Sequence, residues 1–423
     1  MRSCMHFFPL AMKEKDDTHK QQQLPAMRAA SRFGGKVSLL NVALVLLLVS
    51  LGFVLGLTSS NVMFLRSFYP SAFVPPLPPS LLLSSTTTAT SKTPPPVYPS
   101  SLPPRNNHPQ QRRRPTAMHN MTDDELFWRA SMAPKLRGRR APGGAPKKVA
   151  FMFLVRGDLP LRPLWEKFFA GQRAELYSIY VHARPSYSFA GSPDSVFYGR
   201  YIPSKATKWG DASLVDAERR LLANALLDVD NERFALLSEA CIPVYNFTTV
   251  YGYLTGANTS FVDSYENGGS RSRYRDFFAG RNITLAKWRK GAQWFEMDRA
   301  LALEVAADDE LCIPAFHDFC VGRQECLIDE HYLPTLVSLL GWGRRNANRT
   351  LTYADWKRPV NRHPHTHTAE EVTEKLIGEI RADKSCSYNG ARSGAICNLF
   401  ARKFTPDTLQ PLLRLAPKVM AFG

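Results

Sequence analysis

Residues 149–155 read Val-Ala-Phe-Met-Phe-Leu-Val, an apolar run closed by Arg156-Gly157-Asp158. A strand with one wet face alternates polar and apolar positions. An unbroken apolar run therefore marks a strand covered on both faces, in a parallel sheet with helices on either side. The following residues obey that constraint. A helical stretch at 161–171 leads to a second apolar strand at 176–181, which ends in His182-Ala183-Arg184. An amphipathic helix over 212–227 precedes a strand at 234–238, then a short helix at 248–254. Short strands are predicted at 260–263 and 294–297, the second running into a helix over 299–307. Strand, helix and strand in succession predict a Rossmann-type α/β sheet, whose ligands bind beyond the carboxyl ends of the strands. Arg156, His182, Glu239 and Asp263 lie just past such ends.

The first third of the chain cannot join that sheet. Val37 to Leu57 carries no charge, and roughly 20 apolar residues suffice to cross a bilayer as a helix. Seven basic residues precede this span, from Arg2 to Lys36, and only Arg66 follows closely. That asymmetry predicts a cytosolic tail (1–36), a signal-anchor helix (37–57) and a lumenal carboxyl side. A cleaved signal peptide fits less well with so long a polar lead-in. Residues 58–145, rich in Pro, Ser and Thr, predict an extended stem, leaving 146–423 as the globular domain.

Five Asn-x-Ser/Thr sequons, at Asn120, Asn246, Asn258, Asn282 and Asn348, fit lumenal exposure. Beyond Cys4 the chain has six cysteines, an even set for an oxidising compartment, although sequence does not choose their pairing. Lys and Arg number 54 against 37 Asp and Glu, a formal charge of +17. Such a balance suits an anionic partner, and the predicted topology sets nucleic acid aside.

The stretch Asp329-Glu330-His331-Tyr332-Leu333-Pro334 sets two carboxylates and an imidazole side by side before an apolar run. Asp329 is placed to cap a helix, with Glu330 in its first turn. A carboxylate held at a rigid helix start is what a general base requires. Asp228-Val229-Asp230 has the letters of a metal-binding Asp-x-Asp, but it precedes a strand and so falls at the wrong end of the sheet. His363-Pro-His-Thr-His367 reads as a polar loop before the capping-box spacing Thr368-Ala-Glu-Glu371.

Several ordered blocks together resemble one family: Lys208-Trp-Gly210, Leu236-Leu-Ser-Glu-Ala-Cys-Ile-Pro243, Lys290-Gly-Ala-Gln-Trp-Phe295, Asp329-Glu-His-Tyr-Leu-Pro334, and Arg392-Ser-Gly-Ala with Phe400-Ala-Arg-Lys-Phe404. From Lys147 onward the chain resembles a plant-type member of the core-2/I-branching β-1,6-N-acetylglucosaminyltransferase-like enzymes, glycosyltransferase family 14. The resemblance implies a GT-A-like mixed sheet, a UDP-sugar donor, inversion at the anomeric carbon, and no metal cofactor. It implies a Golgi-anchored enzyme transferring N-acetylglucosamine, glucuronic acid or xylose to a glycan or glycoprotein of the cell wall.

By the same resemblance Glu330 is the catalytic base. Arg392 and Lys403 bind the donor diphosphate in place of a metal, with Arg402 a substitute for either. The nucleotide is expected near Val155, Arg156 and His182. Trp294, Tyr353 and Trp356 offer acceptor platforms, with Glu239 and Lys290 as polar partners. The alternative is a non-catalytic lumenal scaffold that keeps the fold to bind carbohydrate.

Overall fold

The computed structural model describes residues 116–132, 144–323, 326–361, 363–392 and 394–423. All belong to one compact unit, Asn106–Gly423. The predicted tail, the anchor and most of the stem lie outside the described residues. Among the described residues no helix is long and apolar enough to cross a membrane.

The stem expectation is corrected at its carboxyl end. Helix α1 (Asp123–Ser131), capped by the Thr122 side chain, buries Leu126 and Ala130. Its Asp123 carboxylate takes two hydrogen bonds from Arg220, at 2.9 and 2.8 Å, and pairs with Lys205. Residues 116–132 are thus packed chain rather than spacer.

The main sheet holds β1 (Lys148–Leu154), followed by α2 (Arg162–Phe169) and β2 (Tyr177–His182). Helix α3 (Ala212–Leu226) then leads to β3 (Asn231–Ser238). The two-residue β4 (Ile242–Pro243) and helix α4 (Phe247–Gly256) precede β5 (Glu296–Asp298). Strand order is β2-β1-β3-β5, with β1 parallel to β2 and β3, and β5 antiparallel at the edge. As its composition requires, β1 is central and buried on both faces. One face carries Phe151 and Phe153 into edge-to-face contacts with Trp165, Phe168, Phe169 and Phe197. The other face turns Ala150 and Met152 toward Leu221, Leu222 and Phe234. The strand predicted at 260–263 is reduced to isolated bridges, Ser260 with Asn346 and Phe261 with Glu296. Its residues edge the sheet without extending it.

Helix α5 (Arg299–Ala306), N-capped by Asp298, is tied to α3 at both ends. Arg219 donates to the carbonyls of Val305, Ala306 and Asp308, and Arg299 donates to those of Leu226, Asp228 and Asn231. Each guanidinium satisfies carbonyls that a helix end leaves open, where the dipole favours positive charge.

Helix α6 (Ile313–Cys320) and helix α7 (Tyr332–Leu339) flank the Asp329-Glu330 segment. Beyond them, β6 (Thr352–Ala354), α8 (Glu374–Ala382), β7 (Phe400–Arg402) and α9 (Leu409–Leu415) complete the described chain. Strand β7 lies between β4 and β6, antiparallel to the first and parallel to the second. This small sheet carries the carboxyl-terminal basic residues back to the loop after β3. Of the six cysteines, Cys320 pairs with Cys326 and Cys386 with Cys397, while Cys241 and Cys312 stay as buried thiols.

Candidate active site

Glu330 closes a single 3-10 turn, Ile328–Glu330, entered through Leu327 in the left-handed region at φ 50°. The turn is pinned from behind. Cys326 and Leu327 donate their amides to the Gly210 carbonyl at 2.7 and 3.2 Å, and Cys326 is bridged to the end of α6. The expected Asp329 cap is not formed: α7 begins at Tyr332, with His331 at its cap position and no side-chain cap hydrogen bond. Asp329 instead points inward, with Oδ1 buried and without a partner. Burial and the neighbouring Glu330 charge push its carboxyl up to about 6.

Two cations converge on Glu330. Arg273 donates to Oε2, and Lys290 Nζ lies 3.1 Å from the same oxygen. Burial alone would raise this carboxyl, but the Arg273 hydrogen bond and the Lys290 charge hold it below the usual glutamate value. The group is therefore an anion at neutral pH, with Oε1 outside both contacts.

His331 turns away from the base. Its ring stacks on Trp288 with centroids 4.5 Å apart, and its Nδ1 lies 2.8 Å from the Arg289 carbonyl.

The segment Lys290–Phe295 holds this arrangement together. Gly291 donates its amide to the Glu330 carbonyl at 2.9 Å. A Cβ at Gly291 would strike the Asp263 backbone, its carbonyl carbon at 2.7 Å, so only glycine passes there. Gln293 donates to the buried Glu218 at 2.8 Å. Trp294 then lies under Arg402, whose guanidinium sits 4.1 Å from the ring centroid.

That contact leads into a second cluster. Arg156, just past β1, places Nε 2.8 Å from Glu239, just past β3. Phe404 donates its amide to the Ala240 carbonyl at 3.0 Å, which brings Arg402 and Lys403 to the same loop. Burial, then the charges of Arg402 and Arg156, lower the Lys403 ammonium below its usual value, with Glu239 opposing. Arg402 is also pushed down by burial, and its Nε is buried without a partner. Three cations share one carboxylate here, so the group favours a further anion. The base and this cluster are joined by the four steps from Lys290 to Trp294, at most roughly 14 Å of extended chain.

Arg392 is not part of the cluster. The turn just before it is anchored at the other end of the sheet, with Tyr388 donating to the Tyr253 carbonyl and Asn389 to that of Gly256. Arg233, near the start of β3, donates to the adjacent Ala257 carbonyl, whereas Glu239 follows the end of that strand, roughly 20 Å further along at strand rise. Arg392 is exposed within the loop closed by Cys386–Cys397.

Other expected residues divide. Val155 donates its amide to the His182 carbonyl at 2.9 Å, linking the ends of β1 and β2. His182 is buried, accepts from the Lys205 amide at Nε2, and is pushed down to about 4 by burial. Trp294 is 6% exposed and covered by Arg402, so it is core rather than a platform. Tyr353 is half-buried against the core beneath α9, while Trp356 is 57% exposed. Glu239 pairs with Arg156 rather than standing among acceptor contacts, and Lys290 belongs to Glu330. Asn120, Asn258, Asn282 and Asn348 are exposed, and Asn246 caps α4 through its side chain. Asp228 pairs with Lys148 at 2.8 Å, at the amino end of the sheet as its position implied.

The sequence assigns no role to Arg273, Gln293 or Glu218. Arg273 lies 57 positions from Glu330, with no motif to mark it. Trp209 is 51% exposed beside His363.

Comparison with known proteins agrees with these blocks. A sequence model described as "Branch: Core-2/I-Branching enzyme" matches residues 149–381. "Glycosyltransferase BC10" of Oryza sativa subsp. japonica is 34% identical over 323 residues, covering 65% of this chain and 77% of that protein. The crystal structure of an active-site mutant of LgtC covers 60% of this chain and 86% of its own, at 8% identity and a TM-score of 0.30, too distant a likeness to bear on the argument. The chain belongs to the core-2/I-branching family of glycosyltransferases.

Proposed function

We propose that this glycosyltransferase moves a sugar from a UDP-sugar onto a hydroxyl of a glycan or glycoprotein, with inversion and without a catalytic metal, on a GT-A-type sheet. One observation carries the reading. A short segment, Lys290–Trp294, touches both the anionic Glu330 and a cluster of cations past the ends of β1, β3 and β7. Inversion requires a carboxylate on one side of the anomeric carbon and stabilisation of the leaving group on the other. As the acceptor oxygen bonds to the anomeric carbon, its proton passes to Glu330. The bond to the diphosphate oxygen breaks, and UDP departs with its negative charge against Lys403, Arg402 and Arg156. Lysine supplies a point charge and arginine a planar fork, so together they serve a diphosphate. Trp356 and Trp209 offer exposed rings to an acceptor. N-acetylglucosamine, glucuronic acid and xylose are the donor sugars to screen. Wall-related acceptors and a Golgi type II anchor complete the reading.

Glu330→Gln tests it. The variant keeps the fold and UDP affinity but loses turnover by on the order of 10²–10⁴, the usual worth of a general base. Calorimetric UDP binding without added divalent ion, paired with a transfer assay, reads both quantities. Near-normal transfer removes Glu330 from the role.

A further inference from the structure

A third constellation stands apart from the base and the cation cluster. His365, His367 and Glu371 offer one ligand atom each, all within 4.8 Å of one another. His365 Nε2 is 2.8 Å from Glu371 Oε2, and His367 Nδ1 is 3.8 Å from that oxygen. A tetrahedral Zn²⁺ with bonds near 2.0–2.2 Å spaces its ligand atoms by roughly 3.4 Å, a value these separations straddle.

The backbone presents the two rings deliberately. His365 donates its amide to the Asp355 carbonyl at 2.9 Å. His367 donates to the Lys403 carbonyl at 2.8 Å and accepts from the Thr405 amide at 3.1 Å. In extended chain, alternate side chains fall on one face, which sets residues 365 and 367 together. Glu371 reaches them from the turn Ala369–Glu371, where its capping box with Thr368 fixes the carboxylate.

A polar loop with a capping box accounts for Glu371 and for His365. It does not account for His367. That side chain is 1% exposed, and neither ring nitrogen has a hydrogen-bond partner among the described residues. Burying an imidazole with both nitrogens unbonded incurs a desolvation cost that a coordinated cation offsets. Among the described residues, Glu371 and the buried Asp355 share the Arg358 guanidinium, which bonds Glu371 Oε1 at 2.9 Å, while Oε2 accepts from the Thr368 amide and faces His365 and His367.

We infer that His365, His367 and Glu371 form a binding site for one divalent transition-metal ion of the Zn²⁺ class, a structural clamp that ties the two histidines to the Ala369–Glu371 turn. Two imidazoles and one carboxylate favour such an ion over Mg²⁺ or Ca²⁺, which prefer all-oxygen shells. The inference is independent of the transfer mechanism, since the ion would not touch the diphosphate.

The test uses the full chain, purified without a histidine tag and stripped by chelation. Co²⁺ is titrated in with its visible absorption as the signal, Zn²⁺ displaces it, and melting is followed with and without metal. Wild-type chain should bind one equivalent and melt higher. His365→Asn and Glu371→Gln should each weaken binding by at least about 10-fold. Glutamine preserves the capping box, so the second variant isolates the ligand role in a folded chain, checked by metal-free melting. No saturable binding by wild type, or undiminished binding in either variant, overturns the inference.

Discussion

Arg273 and Lys290 converge on the same oxygen of Glu330, and that shared contact sets how the glutamate titrates. A carboxylate paired with two cations stays ionised to low pH, so it accepts a proton over a wide range. Removing one cation reverses the balance, because burial then acts with less opposition. Arg273→Gln should therefore move the acid limb of the kcat/KM profile to higher pH. An unmoved limb in a pH–rate series would separate Arg273 from the base. None of this was legible in the sequence. Glu330 announced itself because two acids before an apolar run have a local meaning, whereas Arg273 acquires its role only when the fold closes a long loop. Arg392 shows the converse: the family resemblance pointed to it, but hydrogen bonds to α4 hold the turn before it away.

At the level of elements, legibility followed burial. Strands β1, β2 and β3 and helix α3 were readable because both-face and one-face burial write different periods into the chain. The 260–263 segment and the cap of α7 were misread, since bridging partners and the left-handed entry at Leu327 come from distant chain. The segment Lys290–Phe295 has no regular hydrogen-bond ladder over most of its length, yet it positions Lys290, Gln293 and Trp294. Its tolerance is set by Gly291, where any Cβ meets Asp263 and Pro334. Gly291→Ala should destabilise the domain by about 1–3 kcal/mol, the usual cost of overpacking. Turnover should fall further than UDP binding, because Lys290 and the Glu330 carbonyl shift together. Denaturant melts beside kinetics check both parts, and unchanged stability would show that the backbone yields freely.

Across the whole molecule, buried acids shape the response to pH. Glu296, fully buried, receives hydrogen bonds from the Leu351 amide and the Thr352 hydroxyl, and burial pushes it up to about 7. Burial also raises Glu218 well above its usual value, and Asp329 to about 6. A raised acid binds more protons folded than unfolded, so its contribution declines as pH climbs from its unfolded value to its folded one. His182 and His331, each depressed to about 4 by burial, act oppositely between 4 and 6.5. The two sets oppose each other below pH 6.5; above it the acids act in the same direction as His317, whose imidazole is raised by its hydrogen bond with Asp216. Stability should thus slacken from mildly acidic pH toward pH 8. Glu296→Gln, which can still accept from Leu351 and donate to Thr352, should gain about 3 kcal/mol at pH 8 and nothing below about 4.5. Urea midpoints at several pH values measure this, and an equal gain at all pH would assign the effect to packing.

The Cys320–Cys326 bridge closes a ring six positions long directly upstream of the turn that carries Glu330. So short a ring contributes less to stability than a long one would, so a Cys326→Ser variant, which spares Cys386–Cys397, should keep most of the domain's melting profile while loosening the tether behind the glutamate. Working order and foldedness then become separable properties, with the first written by the redox history of the chain. Material made where thiols stay reduced would look sound by every measure of shape and still turn over slowly, until an oxidant is added.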